Sequence, residues 1–263
     1  QFLDLAFEEY FENLDYSIGR IESGAGFRGG NGEYRERGVD VRKGELNADD
    51  TPKIALGKYQ IMTYNWPVWA SAYKKRWVND KIAEGVAIAR ETGDDGHLWR
   101  RAAAEAEFNT RFDESSYSDG QGEKPGTWYR EGRWFDGPKA RNLQNAIFKN
   151  QMKRYWRLNT VGYIDPTSKE GKTLRGFNPD DKEVAVDRVQ ALDVWNAVGG
   201  KLAVSWYAGP DCGKDPDACD TDKGWVYKGG RGQQFPSMKE YGAKFQKYFD
   251  VKERAGDNVA ATK

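Results

Sequence analysis

A mainly α-helical fold is predicted for this chain of 263 residues. Two observations carry that expectation. Apolar side chains recur at i, i+3 and i+4 in one window after another, the spacing that puts them on a single helix face. The segments between these windows are Gly-rich and charged, and only one of them, around Tyr34 to Val41, reads as a short strand.

The first helix is expected over residues 2 to 21, where Leu3, Phe7, Tyr10, Phe11, Leu14, Ile18 and Ile21 form one stripe. Ser23-Gly24-Ala25-Gly26 then breaks it and leaves Glu22 in the last turn. Residues 29 to 50 are read as a surface excursion. Further helices are predicted at about 66 to 76, 78 to 92, 97 to 112, 138 to 158, 180 to 198, 200 to 208 and 236 to 249. Two long loops interrupt them: 113 to 136, holding Tyr117, Trp128, Tyr129, Trp134 and Phe135, and 209 to 234, holding both cysteines. With no internal repeat and no clear linker, one domain over residues 1 to 263 is expected, with insertions at about 26 to 54 and 113 to 136 and a Cys-containing loop at 209 to 234.

Composition narrows the function classes. Forty-one basic and 41 acidic residues cancel, so no global field recruits nucleic acid, and no nucleic-acid partner is expected. No apolar run reaches the roughly 18 residues that span a bilayer. The opening Gln1-Phe2-Leu3-Asp4 lacks the order of a signal peptide, so the sequence is read as a processed or excised form. Aromatics make up 14% of the chain, including ten Trp, a share that suits an aromatic-lined groove, because sugar rings present flat C–H faces that pack on such side chains. The single histidine, His97, is read as structural or surface, which argues against Ser-His-Asp and Cys-His catalysis. The basic helix from Lys139 to Arg157 is read as a solvated face.

Cys212 and Cys219 lie in the polar stretch Asp211-Cys-Gly-Lys-Asp-Pro-Asp-Ala-Cys-Asp220. A disulfide is the preferred reading and would set the protein in an oxidising compartment, with two free thiols as the alternative. The nearby Asp211, Asp215, Asp217, Asp220 and Asp222 could hold Ca²⁺, but their spacing does not fit a helix-loop-helix calcium loop. Two cysteines and one distant histidine cannot close a zinc site. No metal and no cofactor are expected.

Four short segments remain: Ile21-Glu22-Ser23-Gly24; Ala55-Leu-Gly57-Lys-Tyr59-Gln60-Ile61-Met62; Leu202-Ala-Val-Ser-Trp206-Tyr207-Ala208-Gly209-Pro210; and Phe235-Pro236-Ser-Met-Lys-Glu-Tyr241. In this order they resemble the catalytic domain of lytic transglycosylases of the soluble and goose-lysozyme-like kind, in the form found in phage and secretion-system members. Three positions differ: Trp206 and Tyr207 stand where that family has Tyr and Asn, and Thr63 where it has Pro. The resemblance implies a lysozyme-like fold of the α+β superfamily with large insertions. It also implies cleavage between N-acetylmuramic acid and N-acetylglucosamine in peptidoglycan strands, with a 1,6-anhydro product. The setting implied is periplasmic or extracellular, including attachment to a virion or to a larger phage or secretion assembly.

The residue chemistry points the same way. Protonating a glycosidic oxygen near neutral pH needs a carboxylic acid whose pKa is raised by an apolar site, and Glu22 follows Ile21 on the buried stripe. From the resemblance, Ser23 would hydrogen-bond near the acid or substrate, and Gln60 would contact the N-acetyl group or sugar hydroxyls. Trp206 or Tyr207 would wall a site that also includes Tyr59 and Met62, Gly57 and Gly209 would allow close backbone approach, and Tyr241 would orient Glu22. Two alternatives stand. A muramidase would use the same acid with a second carboxylate to position water, for which Asp40, Glu45, Asp49 and Asp50 are candidates. A structural component could instead dock on peptidoglycan without turnover.

Overall fold

The computed structural model describes residues 2–23, 37–40, 54–62, 64–112, 138–161, 188–221 and 236–249. These are mostly helical. In chain order the elements are α1 (Phe2–Glu9), α2 (Phe11–Ser23), β1 (Arg37–Asp40), β2 (Ile54–Leu56), β3 (Ile61–Met62), α3 (Trp66–Thr92), a 3-10 turn (Asp95–His97), α4 (Arg101–Arg111), α5 (Pro138–Thr160), α6 (Arg188–Ala208), α7 (Pro210–Lys214), α8 (Pro216–Thr221) and α9 (Met238–Phe249). The chain divides into two compact units, one formed by Gln1–Phe27 with Gln151–Lys263 and the other by Arg28–Asn150.

The first unit is organised by aromatic side chains. Phe7 of α1 lies 5.8 Å from Trp156 and 6.0 Å from Trp195, ring centre to ring centre, and Trp195 stacks on Phe249 at 5.0 Å. All four are fully buried. Burying an indole is favourable only if its N–H finds an acceptor. Trp156 Nε1 donates to the Leu3 carbonyl at 2.9 Å and Trp195 Nε1 to the Ala6 carbonyl at 2.8 Å, so both tips are satisfied on the backbone of α1. These two tryptophans therefore build the core of this unit. On the outer face, Lys153 pairs with Glu8 at 3.0 Å and Arg157 with Asp4 at 3.4 Å; as solvent-facing ion pairs they contribute little.

Several boundaries differ from the sequence expectation. The predicted helix over 2 to 21 is two helices, broken at Tyr10, whose buried ring packs 6.3 Å from Phe249 while its carbonyl accepts from the Leu14 N–H. The two helices expected at 180 to 198 and 200 to 208 are one described helix, α6, running through Gly199-Gly200. Glycine costs about 1 kcal/mol in a helix interior. Packing overrides that cost, because a Cβ at Gly199 would sit 3.0 Å from Cε1 of Phe245 on α9. Within the loop expected at 209 to 234, α7 and α8 are short helices joined by the Cys212–Cys219 disulfide, and residues 222–235 lie outside the described set.

In the second unit, β1, β2 and β3 form an antiparallel sheet in that order, and β2 and β3 make a hairpin pairing Ala55 with Met62 and Leu56 with Ile61. The strand expected at 34 to 41 is described only at Arg37–Asp40. The helices expected at 66 to 76 and 78 to 92 are one helix, α3, started by Pro67 in its first turn and stopped by Gly93 with φ 73°. The chain after α3 then folds back so tightly that a Cβ at Gly85 would lie 2.3 Å from the His97 carbonyl. Consequently α4 begins at Arg101, after the 3-10 turn, where a start near 97 was expected. Trp77 meets Phe108 and Phe112 edge-on at 5.6 and 6.4 Å, which ties α3 to α4. Residues 113–137, with the aromatic loop, are outside the described set, as are Glu45, Asp49 and Asp50. No described helix is long and apolar enough to cross a membrane.

Candidate active site around Glu22

Glu22 is the penultimate residue of α2, one turn beyond the buried Ile18, and so shares the apolar face made by Leu14 and Ile18. It keeps part of its surface open. Tyr241, four residues before the fully buried Phe245 on α9, is itself buried and donates its hydroxyl hydrogen to Oε1 of Glu22. The Tyr241 ring is held in turn by Tyr207 of α6, stacked at 4.4 Å and 8° between planes, whose hydroxyl donates to the Pro236 carbonyl at 3.0 Å.

The electrostatics follow from this packing. Burial away from water pushes the Glu22 carboxyl up to about 7, against smaller downward pulls from the Tyr241 hydrogen bond and the Lys244 charge. Burial and the neighbouring Glu22 push the Tyr241 phenol well above its ordinary value, so it stays a donor throughout the neutral range. With Oε1 engaged by Tyr241, Oε2 is the oxygen left to carry an exchangeable proton. A carboxylic acid protonated near neutrality, oriented by one hydrogen bond and open on one side, can deliver that proton to a leaving oxygen and take one back.

The other expected site residues fall into both units. Beside Glu22, Ser23 is buried and its hydroxyl donates to the Gly19 carbonyl at 2.9 Å, a bond back along its own helix. Trp206 is half-buried on α6. Gly209 has φ 96°, a backbone angle that favours glycine, and nothing lies within 4 Å of the position a Cβ would take.

In the second unit, Gly57, Lys58, Tyr59 and Gln60 form the turn of the β2–β3 hairpin. Tyr59 is buried, stacked on Phe148 at 3.9 Å, with its hydroxyl donating to Asn145 at 2.7 Å. Gln60, at φ 52°, closes the turn by donating from Nε2 to the Gly57 carbonyl at 3.0 Å, and the half-buried Met62 follows on β3. Gly57 has both reasons to be glycine: φ 81°, and a Cβ that would come 2.2 Å from Oε1 of Gln144, the acceptor for the Lys58 N–H at 3.4 Å. Gly57→Ala is expected to cost about 2 kcal/mol in urea unfolding, from the left-handed angle plus the displaced glutamine. A variant as stable as the wild type would show that the turn can be remade without glycine.

Sequence reading missed what holds α9 in place. Ser237-Met-Lys-Glu240 is a capping box: Glu240 Oε2 accepts from the Ser237 N–H at 2.8 Å and Ser237 Oγ from the Glu240 N–H at 3.1 Å. The Ser-x-x-Glu spacing was the available signal. Asp220, weighed as a calcium ligand, instead accepts from the Met238 and Lys239 N–H groups, and Asp215 caps α8 through the Ala218 N–H at 3.0 Å. No group of three or more His, Cys, Asp or Glu side chains suited to a metal ion gathers among the described residues. No family model, curated protein or solved structure matches the chain.

Proposed function

We propose that this chain is a peptidoglycan lytic transglycosylase of lysozyme-like fold, acting in the periplasm or outside the cell, with Glu22 as its acid and base. The observation that carries the proposal is the environment of Glu22: a carboxyl raised to about 7 by burial and gripped on one oxygen by Tyr241. Burying a glutamate costs stability, and a carboxyl kept protonated near neutrality is what general-acid cleavage of a glycoside uses. The motif resemblance supplies the substrate. In that chemistry Glu22 protonates the bridging oxygen as the glycosidic bond breaks, and the N-acetyl group of the muramoyl residue steadies the developing cation. The carboxylate then takes the proton of the sugar's own C6 hydroxyl as that oxygen closes the 1,6-anhydro ring.

The test is mass spectrometry of soluble products from purified sacculi, for wild type and Glu22→Gln. Anhydro-muropeptides that disappear in the variant support the proposal, as does a wild-type rate that falls as pH rises through about 7 and Glu22 loses its proton. Reducing-end products, heavier by one water, would make the enzyme a muramidase. Absence of products from both proteins would point to a docking component.

A further inference from the structure

The start of α9 has an unusually complete set of partners. A helix leaves its first N–H groups without intrahelical acceptors, and here each of four is answered. Ser237 N–H goes to Glu240, Glu240 N–H to Ser237, Met238 N–H to Oδ1 of Asp220 at 2.6 Å, and Lys239 N–H to Oδ2 of Asp220 at 3.1 Å. Two of these four bonds are local. Asp220 alone comes from elsewhere in the chain, and its negative charge sits where the helix dipole favours it.

Asp220 is in turn fixed by its neighbour. It follows Cys219, which is bonded to Cys212. Cys212 is buried against Val204 of α6 and Met238 of α9, with Tyr207 packed on the same cluster. The anchoring of α7 on α6 is close: a Cβ at Gly213 would lie 1.8 Å from Ser205 Oγ and 2.7 Å from the Lys201 carbonyl. At five and six residues, α7 and α8 are far too short to persist by helix propensity alone. The disulfide therefore carries the position of Asp220 from α6 to α9, whose first turn leads directly into Tyr241.

We propose that Asp220, tethered through the Cys212–Cys219 disulfide, is a positioning residue for Glu22: it clamps the first turn of α9 and so sets Tyr241 against the carboxyl. Its significance for turnover rests on the reading of Glu22 as the acid. The clamp itself is judged without turnover. Loss of Asp220, or reduction of the disulfide, releases the start of α9 and admits water to Glu22.

The experiment follows the Glu22 carboxyl by NMR in the full chain labelled with ¹³C at the glutamate δ-carbon, the signal being assigned by its absence in Glu22→Gln. Five samples are compared: wild type, Asp220→Ala, Asp220→Asn, Tyr241→Phe, and wild type treated with dithiothreitol. That reagent supplies two electrons and two protons, turns the Sγ–Sγ bond into two thiols, and closes to its own cyclic disulfide. Because burial is the largest cause of the raised pKa, hydration should move the Glu22 midpoint down by about one unit or more in Asp220→Ala and in the reduced protein. Asp220→Asn keeps one acceptor oxygen and should move it less. Tyr241→Phe should move it the opposite way, since that hydrogen bond lowers the pKa.

A cap that only stabilises the fold would lower the melting temperature and leave the Glu22 midpoint in place, which would overturn the proposal. Movement on reduction without movement in Asp220→Ala would overturn it too. If Asp220→Ala does not fold, the Asn variant and the reduced wild type decide on the same midpoint. A wild type that cleaves no glycan would defeat the proposed function, while the titration would still decide the clamp.

Discussion

Glu22→Gln is expected to make the protein more stable at pH 8 by about 2 kcal/mol while leaving its stability at pH 4 nearly unchanged. The sign follows from the direction of the shift. Burial raises the folded-state pKa to about 7 from an ordinary 4.5, so between these values the folded protein keeps a proton that the unfolded chain has released. Wild-type stability is therefore full below the lower value, falls as pH rises through the window, and reaches its floor above about 7. A shift of that size corresponds to about 3 kcal/mol at most, and the open side of Glu22 argues for less. Glutamine is nearly the same shape, still accepts from Tyr241, and has no charge to bury. Urea unfolding of both proteins at the two pH values measures the difference. Equal stabilities at pH 8 would mean that Glu22 is no more desolvated than a surface carboxylate.

Trp195→Ala is expected to cost about 4 kcal/mol, enough to leave the first unit marginal or unfolded. The indole is fully buried against Phe7, Trp156 and Phe249, so truncation opens a cavity bounded by three rings that cannot all collapse into it. The Ala6 carbonyl also loses its donor. Trp195→Phe separates the two effects, since it keeps most of the ring volume and loses only the N–H, at a cost of about 1–2 kcal/mol. Circular dichroism and urea titration read both variants. A loss below about 1 kcal/mol for the alanine variant would contradict the close packing of this core.

The sequence was most informative where one physical signal acted alone. Helical spacing located α2, α5 and α9, and the stripe ending at Ile21 placed Glu22 on the apolar side of α2. Where tertiary packing competes with local preference, sequence reading failed. Gly199-Gly200 reads as a helix break, yet α6 continues because Phe245 occupies the space a side chain would need. The β2–β3 hairpin has strands of three and two residues, too short for alternation to register. Pro210, Gly213 and Pro216 disguised two short helices as loop, since proline suits a first helical turn as well as it suits a turn. In the site, Glu22 and the Tyr241 partner were legible, whereas Asp220 acts across 18 positions of sequence and no local pattern announces it.

The glycine pair in α6 also bears on how the site comes into existence. It divides the helix into stretches of roughly 11 and 8 residues, each below the length of about 12 to 15 at which an isolated helix holds together in water. The shorter stretch carries Trp206 and Tyr207, and propagation of helix into it from the amino-terminal side is weakened by two residues of the poorest propensity short of proline. Its order is therefore borrowed from its packing partners, with Phe245 of α9 over Gly199 and Gly213 of α7 against Ser205. The ring that backs Tyr241 thus depends on the docking of α9, the same helix that presents Tyr241 to Glu22.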